Sequence, residues 1–173
     1  MTQDEYDKVE SPALAQLQQL GWCFIPGAAL APDAAGQERT YYRDVVLAKR
    51  LEAALRRLNP WISDENLRKV LRGFTHPNFA GLVEYNKAIW EMLCGTGDNA
   101  IAVEQDLGAG RKGQTVTLVD FDNPANNDFL CTSQFKVEGP NQTIIPDIVC
   151  FVNGLPLAVI ECKSPYAADA MGE

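Results

Sequence analysis

Histidine is nearly absent from the 173 residues, His76 being the single one. That excludes mechanisms built on a histidine pair and argues against a conventional zinc hydrolase, whose metal rests on His and Cys; beside Pro77, His76 reads as a loop residue. The five cysteines, at 23, 94, 131, 150 and 162, have no CxxC spacing, are odd in number and lie mostly in apolar runs. Their pattern is that of buried free thiols rather than of a zinc site or a disulfide framework. No GxxxxGK[ST] phosphate loop occurs. No apolar run approaches the roughly 20 residues of a bilayer-spanning helix, and the opening MTQDEYDKVE is acidic where a secretory signal is basic and then apolar. The expectation is a cytoplasmic protein with no membrane partner. Positive charge is also scarce: 15 Lys and Arg stand against 23 Asp and Glu, a net charge of -8. That balance opposes nucleic-acid binding, but it is segregated. Residues 39–72 hold nine Lys or Arg against four acids, a local +5 beside -13 for the remainder. Such a patch can follow a phosphate backbone, weakly, with most of the affinity supplied elsewhere.

What the chain has instead is PDIVCFVNGLPLAVIECKSP, residues 146–165. It reads as two apolar strands, 148–152 and 155–160, joined at Asn153-Gly154, a dipeptide suited to the positive φ of a hairpin turn. Asp147 opens the first strand and Glu161 and Lys163 close the second, in a run so apolar that both faces of that strand should be largely buried. A desolvated carboxylate costs several kcal/mol unless it is paired or holds a metal, so these charges suggest one shared site. Register decides whether they can meet. A two-residue loop with regular pairing sets Asp147 opposite Ile160 and sends Glu161 to the other face of the sheet. A three-residue loop, Val152-Asn153-Gly154 with Gly154 as a G1 bulge, pairs Phe151 with Leu155 and puts Asp147, Glu161 and Lys163 on one face. That loop is expected, or a bulge at Pro156 with the same effect, because Pro156 offers no N–H to a ladder.

Pro146-Asp147 followed by Glu161-Cys162-Lys163 resembles the PD-(D/E)xK nuclease signature. FVNGLPLAVIECKSP, with VDFDNPANNDFLCTSQFKVEG upstream and the opening ESPALAQLQQLGW, is similar to the N-terminal region of the R (HsdR) subunits of type I restriction enzymes. The resemblance spans most of the chain. It implies an α/β (α+β) fold: a restriction-endonuclease-like core with a mixed central sheet flanked by helices. One domain, 1–173, is expected, with a helical insertion at about 41–95 after the first core helix and the catalytic hairpin at 146–165. The activity implied is Mg²⁺-dependent cleavage of double-stranded DNA, with Mn²⁺ as a substitute. ATP would serve only a translocase in the full-length parent, and the partners implied are the methyltransferase and specificity subunits, which supply DNA sequence recognition. In that family a second core helix with a Gln-x-x-x-Tyr element follows the ECK strand, whereas this sequence ends at Glu173. The expectation is a truncated chain whose exposed sheet edge favours self-association.

In the implied chemistry, Asp147 and Glu161 hold Mg²⁺, a hard cation that takes oxygen ligands and keeps several waters. The backbone carbonyl of Cys162 is a further ligand that the resemblance suggests. Lys163, two residues on, projects from the same face as Glu161; its ammonium orients the attacking water and neutralises transition-state charge. The alternatives are a structural ion network at strand ends, and an inactive nuclease fold that serves only as a docking module for complex assembly.

Elsewhere, Ser11-Pro12 and the spacing of Leu14, Leu17 and Leu20 predict a helix that stops at Gly21. Glu10 lies at its mouth, where the helix dipole favours a carboxylate; the resemblance offers a second reading, since such folds place a further acid, and so a metal ligand, on the first core helix. A short strand is expected at 22–26, a loop at 27–37, and helices at about 41–58, 63–73 and 79–94. Arg43, Lys49, Arg50, Arg56 and Arg57 on the first of these are candidate DNA-binding residues beside the plainer reading of a solvated face. Strands are expected at 101–107, 115–121 and 129–137, with 108–114 a mobile turn. Asp120, Asp122 and Asp128 around DNPANND lack the glycine and bidentate glutamate of a calcium loop, replaced by Ala125 and Cys131, and are assigned to Asx turns.

Overall fold

The computed structural model describes residues 6–75, 81–108 and 110–163. His76 and the chain beyond Lys163 lie outside the described residues. The chain divides into two compact units, one formed by 1–45 with 129–173 and the other by 46–128.

In the first unit, helix α1 (Ser11–Gln19) ends as its sequence predicts. Gly21 adopts φ +93°, its N–H reaches Gln18 O at 3.0 Å, and Trp22 N–H reaches Leu17 O at 3.1 Å, which closes a Schellman motif. Its start differs. Ser11 makes no side-chain cap; a π-helical turn, Tyr6–Glu10, runs directly into α1 and buries Glu10 at the junction. Glu10 does lie at the mouth of the helix, as expected, and it is buried there.

Strands β1 (Cys23–Phe24), β4 (Phe129–Ser133), β7 (Ile148–Val152) and β8 (Leu155–Ile160) form a mixed sheet in the order β1-β4-β7-β8. β1 and β4 are parallel, and the other two pairs are antiparallel. Leu14 of α1 packs with Cys131, Ile148, Cys150 and Cys162 on one face, while Phe135 meets Phe151 edge to face at 5.2 Å. Every residue of β7 is buried. β8 is not the doubly covered strand its composition suggests, since Leu157, Val159 and Ile160 are exposed. It has a strand neighbour on one side only among the described residues. All five cysteines are free thiols; 131, 150 and 162 are buried, Cys94 is half-buried, and Cys23 is exposed rather than buried.

The hairpin loop is the two-residue one. Asn153 and Gly154 have φ of 53° and 82°, the conformation of a type I′ turn, and Val152 pairs with Leu155. The three-residue loop is thus corrected, and the irregularity at Pro156 takes its place. Phe151 pairs with Pro156 but Cys150 pairs with Ala158, so Leu157 is the extra residue. Beyond the bulge, Ile148 faces Ile160.

The strand expected over 129–137 breaks in two, because Gln134 turns to φ +53° between β4 and β5 (Val137–Glu138). β5 pairs with β6 (Thr143–Ile144) across the Gly139 turn.

The second unit holds helices α2 (Ala48–Leu58), α3 (Asp64–Thr75) and α4 (Leu82–Cys94) and the hairpin of β2 (Ala102–Asp106) with β3 (Arg111–Thr115). α2 begins later than the expected 41, because 40–44 form a turn of their own. Asp44 Oδ2 accepts the N–H groups of Thr40 at 3.1 Å and Tyr41 at 2.8 Å, a local alternative to helix. Ser63 caps α3 as predicted, its Oγ accepting Asn66 N–H at 3.3 Å. Asn66 does not complete a capping box; its amide reaches Glu104 O and Gln105 Oε1, both at 2.9 Å. The predicted mobile turn at 108–114 is largely strand β3, and the predicted strand at 115–121 is irregular beyond Thr115. Buried Asn59 supplies what a neighbouring strand would: its Oδ1 accepts Thr117 N–H and its Nδ2 donates to Thr117 O, each at 2.8 Å.

Candidate functional site

Asp147 is half-buried at the entry to β7. Two donors fix its carboxylate: Cys162 N–H reaches Oδ2 at 2.7 Å, and the Gln134 amide Nε2 reaches Oδ1 at 3.2 Å. Glu161 is the next position along the register after Ile148 and Ile160, so it lies across the strand from Asp147, close enough for the Asp147 charge to act on its carboxyl. The bulge makes this meeting possible; without the extra residue at 157, Glu161 would point to the opposite face.

Glu161 is exposed, yet its carboxyl titrates above the usual range. Partial burial is the first cause, the Asp147 charge the second and their shared hydrogen bond the third, while Lys163 pulls the other way. Glu10, 1% exposed, approaches from the other side, its Oε2 accepting Gln134 Nε2 at 3.4 Å. One glutamine amide therefore touches two carboxylates, one at the base of α1 and one at the start of β7.

The expected residues are in this way partly gathered. Asp147 and Glu161 meet directly, Cys162 joins through its backbone N–H, Glu10 connects through Gln134, and exposed Lys163 acts on Glu161 by charge. Among the described residues no group of three or more His, Cys, Asp and Glu is placed to hold a metal ion. The donors that do meet suit a small hard cation, since Mg²⁺ uses one or two carboxylates and fills its shell with water and phosphate oxygens. The Asp147 charge helps to raise the proton affinity of Glu161, a surplus of negative charge that such an ion offsets.

Sequence reasoning missed Gln134. It sits in an apparently continuous strand, and no periodicity distinguishes it; only its left-handed backbone does.

The candidate basic residues are differently disposed. Arg43, in the first unit, lies 4.5 Å over the Tyr41 ring. On α2, Arg50 pairs with Asp128 at 2.9 Å, Arg56 with Asp64 and Glu52 at 2.9 and 3.1 Å, Arg57 donates to Asn126 O at 2.8 Å, and Lys49 is exposed. Of the three acids around DNPANND, Asp120 makes the expected turn contacts, whereas Asp128 pairs with Arg50. Asp120 accepts from Asn123 N–H and from the Asn126 amide, which together lower its pKa.

A family model described as the type I restriction enzyme R protein N terminus matches residues 2–172. The putative type I restriction enzyme MjaIXP endonuclease subunit of Methanocaldococcus jannaschii is 34% identical over 160 residues, covering 91% of this chain and 15% of the relative. The type I restriction enzyme HindI endonuclease subunit of Haemophilus influenzae is 32% identical over 163 residues, covering 94% of this chain and 15% of the relative. This chain thus spans 15% of the length of each of these two relatives.

Proposed function

The chain belongs to the family of type I restriction enzyme R protein N termini, and on that premise we propose that it is a nuclease domain that cleaves double-stranded DNA with a divalent metal ion, Mg²⁺ or Mn²⁺. In this reading it acts within a larger restriction assembly. Methyltransferase and specificity subunits place it on DNA, and an ATP-driven translocase in the full-length protein brings the duplex to it.

Asp147 and Glu161 would hold the ion, with the carbonyl of Cys162 as a third oxygen and Glu10 behind them. When bound, the ion supplies Lewis-acid polarisation of a phosphoryl oxygen and a nearby activated water. The chain's own groups do the rest. The N–H of Cys162 and the amide of Gln134 keep the Asp147 carboxylate turned toward Glu161. Lys163, a protonated amine with no lone pair, orients the attacking water and offsets charge that builds on the phosphoryl oxygens. Among the basic residues, Arg43, Lys49, Arg50, Arg56 and Arg57 would meet the phosphate backbone by charge, Arg50, Arg56 and Arg57 exchanging their ion pairs and hydrogen bonds for phosphate.

What supports this reading above all is the bulged register of the hairpin, which sets Glu161 opposite Asp147. Calorimetric titration with Mn²⁺ tests it on the wild-type chain and on Asp147→Ala. The wild type should bind one ion through these carboxylates and the variant should not. Equal binding by both, or by neither, refutes the metal site and leaves a docking module. In the full-length enzyme, Lys163→Ala should lower cleavage by ~100-fold or more while leaving DNA binding intact; a docking module would lose nothing.

A further inference from the structure

Gln134 is the one non-glycine residue besides Asn153, among the described residues, whose backbone lies at positive φ. Asn153 has an evident reason, being the first residue of a hairpin turn. Gln134 does not: a type that rarely takes the left-handed region stands directly after a strand, where an extended residue would have continued it. Held off-minimum, it delivers three contacts to one place. Its backbone N–H donates to Asp147 O at 2.9 Å, and its amide reaches both Asp147 Oδ1 and Glu10 Oε2.

Two features keep it there. The chain at Gly27 passes so close that any Cβ would stand 2.5 Å from Ser133 O and 2.6 Å from Gln134 O, so only glycine admits the turn. Arg39, buried and stacked 3.9 Å over Phe135, ties Leu30 O at 3.4 Å to Lys136 O at 2.9 Å. The segments on either side are thereby pinned.

We propose that Gln134 is a positioning residue that sets the spacing of Glu10 and Asp147, and through that spacing the size of divalent ion the acidic site accepts. The proposal rests on the metal-site reading above. An amide is suited to the task because its two N–H groups bridge two carboxylates without adding charge, whereas a lysine there would neutralise them and compete with the metal. With the bridge in place the carboxylates stay at one separation, which favours an ion of strict octahedral geometry such as Mg²⁺ over the more adaptable Ca²⁺.

The test is Gln134→Gly, which removes the amide and relieves the backbone, since glycine takes positive φ freely. Mg²⁺ and Ca²⁺ titrations of wild type and variant are compared, with thermal unfolding in EDTA beside them. Expected is ~10-fold weaker Mg²⁺ binding, an affinity ratio moved several-fold toward Ca²⁺, and a melting temperature unchanged or higher. Unchanged affinities and ratio overturn the proposal, as does a fall in melting temperature with both affinities reduced alike, which is the mark of a merely structural residue. If the wild type binds neither ion, the metal-site reading fails and this proposal with it; if the wild type binds and Gln134→Gly matches it, only the positioning role fails.

Discussion

Two aspartates in this protein stand in contrasting surroundings. Asp120, in the second unit, is surrounded by donors: Asn123 N–H at 2.9 Å and the Asn126 amide at 2.8 Å hold its carboxylate, and Asn127 ties its backbone on both sides. Its pKa is lowered, hydrogen bonds to the charged form being the main cause. Asp147, in the first unit, also has two donors, but it faces a second carboxylate, and Glu161 pays for that with a raised pKa. A turn that exists to hold the chain gathers donors around its acid. A site where like charges meet is held together by the rest of the fold, and such sites are where function concentrates.

The sharpest test of this contrast exchanges the two positions in one assay. Asp147→Ala should weaken Mn²⁺ binding by ~100-fold or more, whereas Asp120→Ala should leave the affinity at the wild-type value; loss in both would mean that the effect is one of folding. Next in size is Asn127→Ala. It removes an acceptor for Asp120 N–H and a donor to Asp120 O and Pro124 O, and should lower stability by about 1–2 kcal/mol in urea unfolding. A loss below a few tenths would show that the turn is not the structural element described here.

The smallest effect has the opposite sign. Glu161→Gln removes repulsion and in EDTA should raise stability by a few tenths of a kcal/mol, discounted for solvent screening because Glu161 is exposed. The pH dependence sharpens it. A carboxyl whose folded pKa is raised costs the fold stability when charged, and the cost disappears as pH falls through that raised value. The advantage of Glu161→Gln should therefore shrink on acidification from neutrality. The contribution of Asp120, with its lowered pKa, should persist over that interval and be lost only at lower pH. Parallel pH profiles for Glu161→Gln and Asp120→Asn would break the comparison.

Much of the architecture was legible because local chemistry specified it. Gly21 closes α1, Ser63 caps α3, and Asn153-Gly154 turns the hairpin, each through a backbone preference that does not depend on distant contacts. The errors fall where a side chain took over the backbone's hydrogen bonds or a residue left the extended region. Asn59 replaced a strand partner at Thr117, Asp44 held 40–41 out of α2, and Gln134 interrupted the strand over 129–137. None of these leaves a trace in periodicity. For the site, residue types and their approximate spacing pointed to Asp147, Glu161 and Lys163, and Pro156 signalled an irregular ladder. The loop length was misjudged because a bulge in β8 and a longer turn shift the register by the same single residue.

By itself the sequence determined the family, the apolar hairpin and the acids that flank it, since these follow from composition, turn chemistry and alternation, which act over a few residues. The tertiary structure decided that Glu161 faces Asp147 and that Glu10 is inside the fold. It also placed a strained glutamine between Glu10 and Asp147. Those outcomes depend on a one-residue slip in pairing and on contacts across more than a hundred positions of chain, where close packing rather than local preference selects the conformation.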